Sequence, residues 1–344
     1  MTFAMGMKLS FGSVLSFLTK GAIALGILVR VNQYLFNRSL WADEAKLALN
    51  IVERNYWELT QALDYNQAAP LGFLFIEKFA IQLLGNHEYA LRLFPLFCGI
   101  AALLLFYTLV RQYLNPTGVL IAVTLFAASS SLIYYSTEVK QYASDVAIAL
   151  LLFLILIATH RHKCDCRQLA LAAGVGALAV WFSFPAIFVL AGVEASYWIK
   201  NFWEVRSQGK PFQIATARIP IYLTWGVGFG SMYWCLLHSA STTHTLLDFW
   251  SNKFPTSIFD LDWLFASLKK FFVEPMDFRT PEFFPEIVDE AAMVAFLVGC
   301  FAWYKQQKAT LLLFLAPTIA TLVAAYLQKF PFEDRLVLFL VPFF

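Results

Sequence analysis

Apolar runs of bilayer-spanning length recur along this chain, and they constrain its fold more than anything else in it. A transmembrane helix needs about 20 consecutive apolar residues. Stretches of roughly that length run from Leu15 to Tyr34, Tyr89 to Val110, Gly118 to Tyr135, Ala143 to Ala158, Ile219 to Leu237, Glu286 to Trp303 and Thr310 to Leu327. Leu169 to Ile199 is longer and interrupted at Ser183-Phe184-Pro185, which predicts two short spans meeting there. The chain is 60% hydrophobic and only 14% charged, against about 25% charged in soluble domains. Backbone polar groups inside lipid must be satisfied within the segment, so the expected class is an all-α polytopic membrane protein.

Pro70 to Leu84 carries Glu77 and Lys78 within fifteen residues. It is short for a span and is expected as an amphipathic or re-entrant helix at the interface. Lys8 and Lys20 precede no small-residue cleavage site, so the first apolar run is expected to be retained. The final run, Leu336 to Phe344, is too short to cross, and a truncation relative to longer relatives is expected.

Lysine and arginine in short loops set the orientation. With the N-terminus inside, Arg111, the His160 to Arg167 run, the Lys200 to Arg218 loop with Lys210, and Lys305 with Lys308 all fall on the cytoplasmic side. Two long loops then face outward, residues 37–88 and 238–285, within a single multi-spanning unit over 1–344. Glu138, Lys140 and Glu333-Asp334-Arg335 join them, so most of the conspicuous carboxylates gather on one face.

Five cysteines, mostly inside apolar runs, give no disulfide framework. His160, His162, Cys164 and Cys166 cluster, a set that could in principle bind a metal, but set against true zinc spacings a short basic cytoplasmic loop is the favoured reading. A net charge of +2 gives no argument for nucleic acid. The sequence has no glycine-rich phosphate loop, HExxH pair or nucleophile elbow.

An adjacent acidic pair, Asp43-Glu44, follows the first span. Ionisable groups beside a membrane are costly and commonly functional. Neighbouring carboxylates repel, so one holds a proton or both share a cation. A partly dehydrated carboxylate also serves as a general base toward a hydroxyl. Helix-start residues favouring the positive end of the dipole explain the pair equally well. If helical, Glu138, Tyr142 and Asp145 share a face, while Lys140 is available for an anionic group. Tyr134 and Tyr135 fit an interfacial aromatic belt. Glu88 and Arg92 have the spacing of an intrahelical ion pair. Arg335 suits bidentate phosphate binding, or is one charge of an ordinary loop cluster.

The motif order Trp41-Ala42-Asp43-Glu44-Ala45, Ala69-Pro70-Leu71-Gly72-Phe73, Glu88-Tyr89-Ala90-Leu91-Arg92-Leu93 and Tyr135-Ser136-Thr137-Glu138-Val139-Lys140-Gln141-Tyr142 covers about the first 150 residues. It resembles the GT-C-fold membrane glycosyltransferases, the group of the protein O-mannosyltransferases and the lipid A aminoarabinose transferases. The resemblance implies a sugar carried on polyprenyl (or dolichyl) phosphate and moved to a lipid, glycan or protein hydroxyl at the outer face of the plasma membrane. It places Asp43 as general base, Glu44 as its orienting partner or a cation ligand, and Glu138 as the second acidic residue, facing acceptor or metal. A divalent cation, Mg or Mn, held by Asp43 and Glu138 is a further expectation. The leaving lipid phosphate needs its charge neutralised, for which Lys140, Lys78, Arg92 and Arg335 are the candidates. Tyr142 and Asp145 complete the expected substrate-binding set. The aminoarabinose transferases carry Lys-Pro-Pro where this chain has Gln67-Ala68-Ala69-Pro70, a departure at their phosphate contact.

A transporter or flippase of lipid-linked glycans would place charges near the midplane and often shows internal repeats. Neither is evident here. A structural membrane subunit gives no reason for Asp43, Glu44 and Glu138 to converge.

Overall fold

The computed structural model describes residues 11–160, 165–208, 218–238, 249–278 and 288–344. All of its regular elements are helical. Helix α1 (Phe11–Phe36) is followed by α2 (Ala42–Glu53), α3 (Leu71–Leu84), α4 (Glu88–Val110), α5 (Pro116–Ala128), α6 (Ser130–Tyr135) and α7 (Tyr142–Thr159). Then come α8 (Cys166–Phe182), α9 (Ala186–Gln208), α10 (Ile219–His238), α11 (Leu261–Val273), α12 (Val288–Gln306) and α13 (Lys308–Tyr326), and a 3-10 segment, Asp334–Phe343, follows. Among the described residues, α1, α4, α7 and α13 are long and apolar enough to cross a membrane.

Helix α7 is the centre of the bundle. Within its apolar window 72% of residues are shielded by protein, against 22% for α1, which therefore lies at the lipid-facing edge. The main core joins Leu103 and Phe106 of α4, Leu150 and Phe153 of α7, and Val189 and Val193 of α9. The 3-10 segment enters the same core through Val337, Leu338 and Leu340. The apolar run after Arg335, too short to span, is thus a plug packed into the protein.

Two breaks position the site. The expected span from Gly118 to Tyr135 is interrupted at Ser129, which caps α6 by accepting the Leu132 N–H. The carbonyls freed at the end of α5 are met by buried Arg30 of α1, which donates to Ala127 O at 3.2 Å and Phe126 O at 3.4 Å. A guanidinium at a helix C-terminus answers both the unpaired carbonyls and the negative end of the dipole. The second break, at Ser183-Phe184-Pro185, falls where the sequence places it, between α8 and α9.

The first long loop is folded rather than open. The apolar stripe of α2, Leu47, Ala48 and Ile51, packs on Phe73, Leu74 and Ile81 of α3 and on Val139 of the turn before α7. This second core fixes α2 over the end of the bundle. The next long loop also holds structure: α11 lies within it, an amphipathic helix that the Phe, Trp, Asp and Pro content of 238–285 does not reveal. Residues 239–248 and 279–285 of that loop lie outside the described residues, as do His162, Cys164 and Lys210.

Candidate functional site

Asp43 and Glu44 occupy the first turn of α2, and the two carboxylates take different environments. Glu44 is fully buried. Its Oε2 lies 2.9 Å from Arg38 Nη1, its Oε1 lies 3.3 Å from Arg92 Nη2, and it accepts the backbone N–H groups of Trp41 and Val139. With two cations and two amides in place, Glu44 joins α2, α4 and the turn before α7. Arg92 accordingly turns away from Glu88, its expected partner, and also donates to Arg38 O at 2.6 Å. The helix-start reading thus describes Glu44, whose carboxylate caps the first turn of α2 through the Trp41 amide.

Asp43 is partly exposed. Its Oδ2 lies 3.1 Å from Lys140 Nζ and 2.8 Å from Arg335 Nη2, and its Oδ1 accepts from Gln67 Nε2 at 3.1 Å. Gln67 Oε1 in turn accepts from Lys140 Nζ at 2.6 Å. Burial alone pushes the Asp43 carboxyl up, but Lys140 and Arg335 outweigh it and hold the group below its ordinary value. Tyr65 (φ 61°) and Asn66 (φ 53°) are left-handed, a turn that delivers Gln67 back over α2.

Glu138 lies in the turn before α7 and not on the helix, so it does not share a helical face with Tyr142 and Asp145. The side chain is fully buried and accepts from Trp41 Nε1 at 2.8 Å. Burial pushes its carboxyl up to about 7, with the Trp41 hydrogen bond, Arg335 and Lys140 opposing the rise. Lys140, in the same turn, is pulled down by burial and supported by Asp43.

Of the remaining expected residues, Arg335 and Tyr142 reach the site. The guanidinium of Arg335 sits 5.4 Å from the centres of both the Trp41 and Tyr142 rings. Lys78 is elsewhere, donating to Ile51 O and Val52 O at 2.9 Å each and so closing the C-terminal end of α2. Asp145 is buried within α7, a turn below Tyr142, with Ser183 beside it. Trp41 and Gln67 are the contributors that sequence reasoning did not assign a role, although both lie inside quoted motifs.

Arg335 and Trp41 also line a cleft of about 620 Å³ next to Asp43. Its other walls carry Gln33 of α1, Ser130 and Tyr134 of α6, and Asp277 from the loop after α11. Asp277 accepts from the Ser130 amide at 3.0 Å and from its hydroxyl. Such a wall, with hydroxyls, an amide, a carboxylate and flat rings around a single guanidinium, matches a ligand with polar groups and an anion.

The residues do not fit a shared divalent cation. Among the described residues no three His, Cys, Asp or Glu side chains are placed to hold one. Asp43 already faces two positive groups, and Glu138 faces an indole.

Residues 68–227 match the family model described as dolichyl-phosphate-mannose-protein mannosyltransferase. No curated protein and no solved structure matches the chain. The matched region contains Arg92, Glu138 and Lys140, whereas Asp43 and Arg335 reach the same site from outside it. The match is a likeness to that family over somewhat less than half of the chain, on an all-helical polytopic protein.

Proposed function

We propose that this protein transfers a sugar from a polyprenyl-phosphate donor to a hydroxyl on a lipid, glycan or protein acceptor, with Asp43 as general base. The family match implies a glycosyltransferase that uses a polyprenyl-phosphate sugar. The observation that carries the finer reading is the pairing of a partly exposed carboxylate with two cations at the wall of a polar cleft. In this reading the phosphate of the donor lies by Arg335. Asp43 takes the proton of the acceptor hydroxyl as its oxygen bonds to the anomeric carbon. The bond from that carbon to the phosphate oxygen breaks, and polyprenyl phosphate leaves with the electron pair. Direct displacement of this kind inverts the anomeric centre.

Arg335 and Lys140 supply positive charge where the phosphate develops its negative charge. Glu44 supports the reaction from behind, by fixing the first turn of α2 so that Asp43 faces the cleft. Glu138 holds the Trp41 indole against Arg335. No step is routed through a metal, since Asp43 Oδ2 already faces two cations and Glu138 faces an indole. The orientation follows from the positive-inside pattern and puts the site on the extracytoplasmic face.

The test is transfer of radiolabelled sugar from polyprenyl-phosphate donors in membranes containing the unchanged protein or Asp43→Asn. Loss of about 10²–10⁴-fold in rate is expected when a general base is removed. Equal transfer by the two proteins would remove Asp43 from the chemistry.

A further inference from the structure

A base held between two cations is a poor base, since each cation stabilises the charged form and lowers its affinity for a proton. Asp43 is in that condition here, with Lys140 at 3.1 Å and Arg335 at 2.8 Å from the same oxygen. The two cations are not equivalent. Lys140 is buried, and Gln67 ties it to Asp43 through a second route. The Arg335 side chain is 24% exposed and lines the cleft. Its backbone is anchored, because it opens the 3-10 segment whose apolar residues plug the core. Trp41 and Tyr142 flank its guanidinium. Aromatic neighbours attract a guanidinium without using up its edge N–H groups, so those groups are free to exchange partners.

The geometry points to Arg335 as a latch that restrains Asp43 until the anionic headgroup of a polyprenyl phosphate enters the cleft and takes over the guanidinium. The inference rests on the lipid-phosphate donor proposed above. Two free phosphate oxygens suit the guanidinium fork as well as a carboxylate does, so the exchange needs no loss of pairing. The incoming anion adds a second effect of the same sign, since negative charge beside Asp43 raises its affinity for a proton. Binding of the lipid phosphate therefore comes first, and the base is released only when that anion occupies the cleft. Arg335 is in this account a positioning residue for Asp43 as well as a donor contact.

Two measurements on the full chain in nanodiscs test it, with a polyprenyl monophosphate as the probe. The first is carbodiimide labelling of Asp43 at mildly acidic pH, which needs a protonated carboxyl and is read by peptide mass spectrometry. The probe should raise wild-type labelling about threefold or more, as a carboxylate losing one of two cations gains affinity for protons. In Arg335→Gln, labelling should start higher and ignore the probe. The second is the affinity of the probe itself. Asp43→Asn should bind it about tenfold more tightly, because Arg335 no longer has to leave a carboxylate, whereas a merely structural Asp43 would leave affinity unchanged or weaken it. Arg335→Lys, which keeps the charge, should bind more tightly than Arg335→Gln. If the probe binds wild type but neither changes Asp43 labelling nor binds Asp43→Asn more tightly, the latch is wrong and the donor reading stands. If the probe binds neither wild type nor Asp43→Asn, the donor reading fails and the latch fails with it.

Discussion

Arg92 on α4 meets Glu44 on α2 at 3.3 Å, and neither side chain has measurable contact with solvent beyond 1%. Removing one member of a buried pair strands the other, at a cost of about 3–5 kcal/mol. Arg92→Ala should therefore lower thermal stability in detergent sharply. Glu44→Gln should do the same, since it leaves Arg38 and Arg92 together without their carboxylate. The double variant Glu44→Gln with Arg92→Gln should lose less than the two single losses added together, because it strands Arg38 alone rather than a buried pair of cations. Additive losses would show that the two residues act independently.

Lys140 offers a test confined to the site. Its ammonium helps hold Asp43 below the ordinary carboxylate range. The acid limb of kcat/KM against pH reports the free enzyme. Lys140→Met should shift that limb upward by about one unit, since one of two neighbouring cations is lost. The sign is fixed: a base with a raised pKa is protonated sooner as pH falls, so the variant loses activity first. An unmoved limb would mean that Asp43 is not the group titrating.

Much of this arrangement was legible in the sequence. The apolar runs give the long helices, and Pro185 gives the break between α8 and α9. The convergence of Asp43, Glu138, Lys140 and Arg335 follows from orientation, because loops on one side of a membrane are close in space. What the sequence does not disclose is the choice of partner. Nothing in Glu88-x-x-x-Arg92 says that the arginine will prefer Glu44, since an i,i+4 pair is worth only about 0.2–0.5 kcal/mol and a buried partner overrides it. Lys78 was equally uninformative: a lysine at an interface serves carbonyls at a helix end as readily as phosphate. The break at Ser129 leaves no proline or glycine signal, and it depends on Arg30 from another helix.

Glu138 should make stability depend on pH. Its carboxyl is raised from 4.5 to about 7 by burial. Between those values the folded protein holds a proton that the unfolded chain has released. Stability should therefore fall as pH rises from about 4.5 to 7, by roughly 3 kcal/mol at most for a shift of this size. Glu138→Gln keeps an oxygen for Trp41 Nε1 and removes the titration. The variant should match wild type at low pH and exceed it in melting temperature at pH 8. Parallel curves for the two proteins would show that Glu138 is ionised in the folded state throughout.

On the opposite side of the bundle, Glu194 of α9 gathers three partners. Arg218 Nη1 lies at 2.5 Å, Tyr222 OH at 2.6 Å and His160 Nε2 at 3.0 Å. The cluster joins the C-terminal end of α7, the body of α9 and the start of α10, far in sequence from Asp43. Glu194→Leu should lower stability by about 3–5 kcal/mol, as for other broken buried networks. Donor affinity should be retained in whatever fraction remains folded. A selective loss of donor affinity at full stability would instead assign this cluster to the substrate.

Gly99 connects bundle packing to the site. A Cβ at this position of α4 would lie 2.4 Å from Ser136 Cβ, at the start of the turn that carries Glu138 and Lys140. Real side chains do not approach that closely, so either α4 or the turn must give way. Gly99→Ala should cost about 1–3 kcal/mol as an overpacked contact. The turn is the weaker partner, because α4 is held along its length by the main core while residues 136–141 form no regular helix. Displacing it moves Lys140 away from Asp43, so kcat/KM should fall by more than the stability loss explains at a temperature where the variant is fully folded. Ser136→Gly in the same chain removes the opposing Cβ and should restore both quantities. Restoration of stability without activity would place the damage in α4 rather than in the turn.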